Sequence, residues 1–240
     1  MKRGLVVSAF IVMGALAAFA LGVGTASANL ITNGDFEAGN TGFTSDYLYF
    51  AKPATPATKY TTPKSSLYDE GTYGVGTNPS LYHGSWASFG DHTSGTGNMM
   101  IVNGATTGVA PFDVWKSTAS VTAGQTYYFS AFMTSVYPPP VGSDPIAPAI
   151  LQFSIDGNDI GSAVLLAGGK VGQWQQFYVT WDATVDGPVD VALVNNVLIA
   201  AGNDFAVDDI VMNTTPIPEP TTMLLLGFGL LGLAGLRRKM

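Results

Sequence analysis

Between residues 29 and 213 the chain predicts an all-β domain, an antiparallel sandwich or barrel. Three observations carry this. Short segments alternate apolar and polar residues with a period of two, as half-buried strands do. Gly, Pro and Asn turns separate them at near-regular spacing. No window of about 11 residues carries a 3.6-residue apolar stripe, so helices are not expected.

In order, Asn29-Leu30-Ile31 and Phe36 read as an opening extended segment broken at Asn33-Gly34. Residues 51–79 are rich in Pro, Thr, Tyr and Gly without periodicity and read as a long surface excursion. Residues 99–102 form a strand that turns at Asn103-Gly104. Residues 112–121 form another, imperfectly alternating strand. Residues 125–136 alternate well, with Tyr127, Phe129, Ala131 and Met133 on one face and Tyr128, Ser130, Phe132 and Thr134 on the other, until three prolines end the run. Residues 150–156 turn at Asp156-Gly157 into 160–166. Residues 174–181 place Phe177, Val179 and Trp181 on one face. Residues 189–198 and 205–212 complete the set. The first and last segments are expected to meet, because domain termini commonly lie close together.

The ends differ in composition from this middle. Met1-Lys2-Arg3 precedes an uncharged apolar run from Gly4 to Leu21, and Ala26-Ser27-Ala28 gives a small-x-small site. That order predicts a signal peptide over residues 1–28, cut by signal peptidase after Ala28. At the other end Pro218-Glu219-Pro220 precedes an apolar, Gly-rich run, Met223 to Leu236, and then Arg237-Arg238-Lys239. The run is shorter than the ~20 residues of a stable membrane span, and its basic end would stay cytoplasmic. Residues 214–240 thus closely resemble the PEP-CTERM sorting signal of Gram-negative bacteria. The resemblance implies recognition of Pro218, Glu219 and Pro220 by an exosortase, a short transmembrane sorting helix, loss of the tail, and delivery to the cell surface or extracellular matrix.

From Ala28 to Met223 there are 17 acidic against 5 basic residues, a net charge of −12, and no Arg. Electrostatics therefore oppose nucleic acid, and oppose anionic membrane except through the sorting tail, while permitting neutral sugars and divalent cations. No Cys is present, so disulfides do not staple this exported domain. About 190 residues suffice for one sizeable core.

Residues 29–213 carry a second resemblance. Asn33-Gly34-Asp35-Phe36-Glu37 is similar to the opening strand of galactose-binding-like jelly rolls. Residues 114–121 and 124–132 are similar to their central strands, and 174–181 with 203–210 complete the order. Carbohydrate-binding modules share these features, so the resemblance implies a jelly-roll β-sandwich. In that family an opening-strand Glu and a last-strand Asp often hold a structural calcium, which here implies Glu37 and Asp208, with Asp35 and Asp209 as alternates. Ca²⁺ is hard and takes oxygen ligands, and carboxylates brought together from chain-distant strands would otherwise repel. The competing reading is a solvated strand end at Asp208-Asp209 and a turn cap at Glu37.

Sugars stack their apolar faces on exposed rings. Tyr47, Tyr49 and Trp86, in or beside the polar excursion, and Trp115 are the candidate stacking residues, whereas Trp174 and Trp181 read as core. Catalysis is not expected. There are three Glu residues, Glu37, Glu70 and Glu219, and one of them lies in the sorting signal. His83 and His92 lack zinc-ligand spacing and read as surface polar residues. No Gly-x-Ser-x-Gly elbow or Cys nucleophile appears. The expected function is non-catalytic polysaccharide binding, with the cell's own exopolysaccharide as a candidate ligand. The alternatives are a structural or adhesive matrix protein without a glycan ligand, and a small polysaccharide hydrolase or lyase.

Overall fold

A computed structural model describes residues 28–51, 67–106, 108, 112–138, 147–166, 170–200 and 202–216. Ala26, the sorting residues Pro218, Glu219 and Pro220, and the expected sorting helix lie outside the described residues. Ten strands follow in order: β1 (Leu48–Tyr49), β2 (Thr72–Gly76), β3 (Met99–Asn103), β4 (Phe112–Val121), β5 (Thr126–Ser135), β6 (Ile150–Ile155), β7 (Asn158–Leu165), β8 (Gln175–Asp182), β9 (Gly187–Asn195) and β10 (Phe205–Asn213). Eight of them lie where alternation placed them. They build a six-stranded sheet, β1-β2-β3-β10-β5-β8, and a four-stranded sheet, β4-β9-β6-β7. Among the described strands only the short β1–β2 pair is parallel.

The two inner faces enclose the main core. Because side chains alternate across each strand, Tyr127, Phe129, Ala131 and Met133 of β5 face Leu151, Phe153 and Ile155 of β6 and Val189, Val191 and Leu193 of β9. Phe153 bridges the layers, with its ring 5.6 Å from Phe129 and 4.9 Å from Phe177. The imperfect alternation of β4 has a cause. The register shifts between Asp113 and Trp115, so Val114 and Trp115 are both fully buried.

β10 changes partners along its length. Residues 205–207 pair with β3 on one side, and β5 runs along the other, with a register shift between Asp208 and Val211. Beyond the shift the opening segment replaces β3. Leu30 N–H donates to Met212 O (2.8 Å) and Ile210 N–H to Gly34 O (2.8 Å). The Asn29 side chain extends the ladder, accepting from Met212 N–H and donating to Ile210 O, each at 3.0 Å. The expected meeting of the termini is thus observed, but as a string of turns rather than a strand. Asn33 and Phe36 adopt left-handed backbone angles (φ 54° and 57°). The Asn33 side chain ties Ala38, Gly39 and Thr41, and Phe36 is fully buried.

The excursion is not simply a surface loop. Residues 67–98 include β2 and a 3-10 turn, Pro79–Leu81, and fold over the outer face of the six-stranded sheet. They bury a second apolar cluster of Leu67, Tyr82 and Trp86 against Met99, Ile101, Val136 and Ala206. This cap has no periodicity because its apolar residues come from turns. The Tyr82 ring is fully buried, and its hydroxyl donates to Val75 O at 2.7 Å.

A Cβ at Gly34 would lie 2.0 Å from Ile210 O, a backbone atom that cannot move without breaking β10. Gly34→Ala is expected to destabilise the domain by about 2 kcal/mol. Urea unfolding checks this, and an unchanged midpoint would contradict the close approach of the opening segment to β10.

Candidate functional site

The carboxylate cluster sits at the rim where the opening segment, the cap and β10 meet. A cavity of about 290 Å³ is lined by Asp35, Glu37, Asp91, Thr93, Ser94 and Asp209. The register shift positions the β10 pair, since Asp209 has a left-handed φ of 48° and consecutive residues part company there. Glu37 lines the cavity, with Oε1 accepting from Asn98 N–H at 2.7 Å. Asp208 does not line it. Its side chain is buried, and its oxygens accept from His92 N–H (2.9 Å) and Asp209 N–H (2.8 Å). Burial, with Asp209 beside it, raises the Asp208 carboxyl to about 7. The alternate Asp209 is the one at the cavity, where its Oδ2 bonds His92 Nδ1 (2.7 Å) and Thr93 Oγ1 (2.5 Å).

Asp91, absent from the expected set, is a further carboxylate of the cavity. It accepts from Ser94 and Gly97 N–H, and although burial opposes this, these bonds hold its carboxyl below the ordinary range. A Cβ on Gly97 would come within 2.2 Å of Glu37 Oε1 and 3.2 Å of Asp91 Oδ2, so both carboxylates flank one glycine. Its sequence signal, Asp91-His92-Thr93-Ser94-Gly95, looks like any polar turn. Among the described residues no three His, Cys, Asp or Glu side chains converge closely enough to hold an ion by themselves.

The expected stacking rings are mostly core, and that reading is corrected. Trp115 is fully buried by the β4 register shift. Tyr47 is 5% exposed, and its hydroxyl accepts from Ala105 N–H and Asn195 Nδ2. Trp86 is 4% exposed, with Nε1–H donating to Asp204 Oδ2 at 3.1 Å. Each ring found an apolar layer that local sequence does not reveal. Tyr49 alone of the four is exposed, packed at 5.3 Å on Tyr73. Trp174 and Trp181 are partly buried.

A different aromatic surface lies on the outer face of β5 and β8, beyond the cap. Ser130 pairs with Tyr178, Tyr128 with Thr180 and Phe132 with Gln176. The Tyr128 and Tyr178 rings lie 6.4 Å apart at 24°, and Tyr178 is 46% exposed. The row continues into His92, stacked on Phe132 at 3.5 Å, with the Trp174 edge 6.0 Å from it. Alternation had already put Tyr128 opposite Tyr127 and Tyr178 opposite Phe177; two outward tyrosines on neighbouring strands were the signal.

The histidines are not plain surface residues. His83 lies between Tyr68 (3.9 Å) and Trp86 (4.8 Å). Desolvation lowers its imidazole from 6.5 to about 4.

The chain's residues 216–239 match the PEP-CTERM protein-sorting motif. That motif marks an exported protein held transiently in the membrane and implies processing by an exosortase. No protein of curated function matches in sequence. Among solved structures the chain is similar to a Stig cyclase from Fischerella sp. TAU, solved with an indole compound. The identity is 13% and the TM-score 0.52, over 81% of this chain and 100% of that one. It is similar to TmCBM61, solved with β-1,4-galactotriose, at 12% identity and TM-score 0.46, over 79% and 100%. It is also similar to the sugar-binding EclA C-terminal domain at 22% identity and TM-score 0.35, over 42% of this chain and 66% of that domain. The similarity is one of fold alone, a β-sandwich of two sheets.

In the pH window from 6.5 down to about 4, the unfolded chain binds a proton at His83 that the folded chain refuses. His83 therefore contributes a loss of stability as pH falls through that window, and none above it. His83→Gln should remove this part of the pH dependence in thermal melts taken at pH 4 to 8. An unchanged slope would mean that the imidazole is not desolvated.

Proposed function

We propose that this exported sandwich binds polysaccharide without catalysis at the cell surface or in the extracellular matrix, through the Tyr128–Tyr178 surface. The observation that carries this is the pair of near-parallel tyrosines on the outer sheet face, flanked by the exposed polar side chains of Gln176 and Thr180. Rings of this kind take the apolar faces of sugars, and the neighbouring polar groups take their hydroxyls. The net acidity of the domain suits a neutral glycan. Carbohydrate-binding modules of similar fold agree with this reading without establishing it.

Absence of catalysis is part of the proposal. The carboxyls raised to about 7, about 6 and about 7 are Glu70, Asp204 and Asp208. Glu70 and Asp204 belong to the cap region and Asp208, opposite Phe132, is buried beneath His92, so no two of them flank the Tyr128–Tyr178 pair, whereas glycoside hydrolysis needs an acid and a second carboxylate flanking one bond.

Retention on a panel of immobilised neutral polysaccharides tests the binding. Tyr178→Ala is expected to weaken affinity about tenfold, the loss of one ring at the centre of a small interface, while Tyr49→Ala leaves it unchanged. Equal retention of both variants would remove the surface from consideration. Capture of other surface proteins with no glycan retention would favour the matrix-protein reading, and release of reducing sugar would favour an enzyme.

Calcium at the rim cavity is the second part of the proposal. Its support is the donor chemistry: carboxylates of Asp35, Glu37, Asp91 and Asp209 with the hydroxyls of Thr93 and Ser94 suit a hard divalent ion. Backbone carbonyls would complete the shell, and Asp208 would act through its bond to Asp209 N–H rather than as a ligand. Chelation is then expected to lower the melting temperature of the wild type. Asp209→Asn should abolish the difference and Glu37→Gln reduce it. A melting temperature indifferent to chelator, in protein shown metal-free by elemental analysis, would contradict the site.

A further inference from the structure

Under the cap, a second set of oxygens lies on the outer face of the six-stranded sheet, on the other side of the β10 register shift from the rim cavity. β3 and β10 pair antiparallel, with Phe205 opposite Val102. One step further, Asn103 and Asp204 are therefore cross-strand neighbours on the face that also carries Ile101 and Ala206. Both are buried, Asn103 to 4% and Asp204 to 9% exposure. Asp204 Oδ1 accepts from Gly104 N–H (3.2 Å), and Oδ2 from the Trp86 indole (3.1 Å). Asn103 Nδ2 donates to Leu67 O at 2.8 Å, which turns the amide toward the 67–72 turn. Its Oδ1 is buried and has no hydrogen-bond partner.

A buried amide oxygen left unpaired is costly, so an orphan of this kind calls for a partner the protein itself does not supply. The surrounding charge says which kind. Glu70 stands at the solvent side of the same turn, next to Asp69, and the charge of Asp204 acts on its carboxyl. Backbone pairing holds that turn against the same strand, with Gly71 N–H donating to Asn103 O at 3.1 Å and Thr72 opposite Asn103 in the β2–β3 ladder. Among the described residues no basic side chain makes an ion pair with any of the three. A donor set of two carboxylates and an amide oxygen, with no nitrogen or sulfur, matches hard divalent cations.

We infer that Asp204, Glu70 and the Asn103 side-chain oxygen form a divalent-cation site of the calcium class beneath the cap. The site is distinct from the rim cavity and does not depend on the glycan-binding reading. The ion would join the turn that begins the cap (Glu70) to the sheet beneath it (Asn103 and Asp204), and Trp86 would stand against it through Asp204.

That last contact supplies the probe. Terbium occupies calcium-type oxygen sites and emits when a nearby indole is excited. The purified full chain carrying Glu37→Gln and Asp209→Asn, which disable the rim cavity, is titrated with Tb³⁺ under tryptophan excitation. Saturable emission displaced by Ca²⁺ is expected. Adding Glu70→Gln, a change at an exposed position that leaves the fold intact by thermal melt, should raise the half-saturating concentration at least tenfold, and Asp204→Asn should abolish the emission. Absence of saturable emission from the rim-disabled chain, or emission indifferent to Glu70→Gln, overturns the inference. In that case a water or a shared proton serves the Asn103 oxygen.

Discussion

The hydrogen-bond accounting of β10 is the constraint on which the other features hang. As a strand inside the six-stranded sheet it must satisfy both of its edges, because buried backbone groups left unpaired are costly. One edge runs along β5. The other has β3 for only three residues, after which the opening segment takes over through Gly34, Leu30 and the Asn29 side chain. The change of partner coincides with the register shift, and the shift separates Asp208, turned inward under His92, from Asp209, turned to the rim. Before the shift, Ala206 is the floor of the cap and Asp204 its buried acid. One strand thus locates the rim cavity, the cap and the buried oxygen cluster.

The same strand carries the chain out toward residue 216, beside the point where Asn29 joins the sheet. Asn29 is the first residue after the expected cleavage site, so the segment that completes β10 would begin at the new N-terminus. The sorting motif follows directly from the other end. The two ends of the described sandwich therefore lie at adjacent positions, and Tyr128 of the tyrosine surface pairs directly with Asn213 beside that junction.

Much of the sandwich was legible because alternation is a local property. Eight strands could be placed from residues 99–213, and only the inward or outward sense of β4 was obscured, by its extra residue at Val114. The opening segment was legible as a partner of β10 but not as turns, since Phe36 at positive φ is held by burial that no local pattern announces. The cap was not legible. Tyr82 and Trp86 sit among Gly, Ser and Pro, and the second apolar layer exists only once Met99, Ile101 and Ala206 present an outward apolar face. The candidate rings failed for the same reason, whereas Tyr128 and Tyr178 could have been found from the parity of their strands. At the rim, the meeting of Glu37 with the Asp208-Asp209 pair was readable, but which of those two faces the cavity required the register shift.

Amide hydrogen exchange across β10 tests this account most directly. If both edges are satisfied along its whole length, the amides of Phe205–Asn213 exchange only through global unfolding, including those beyond the shift that rely on Asn29 and Gly34, while amides of the edge strand β7 exchange through local opening. Fast exchange confined to residues 210–213 would contradict it, because the opening segment would then be a loosely held end rather than the second partner of β10.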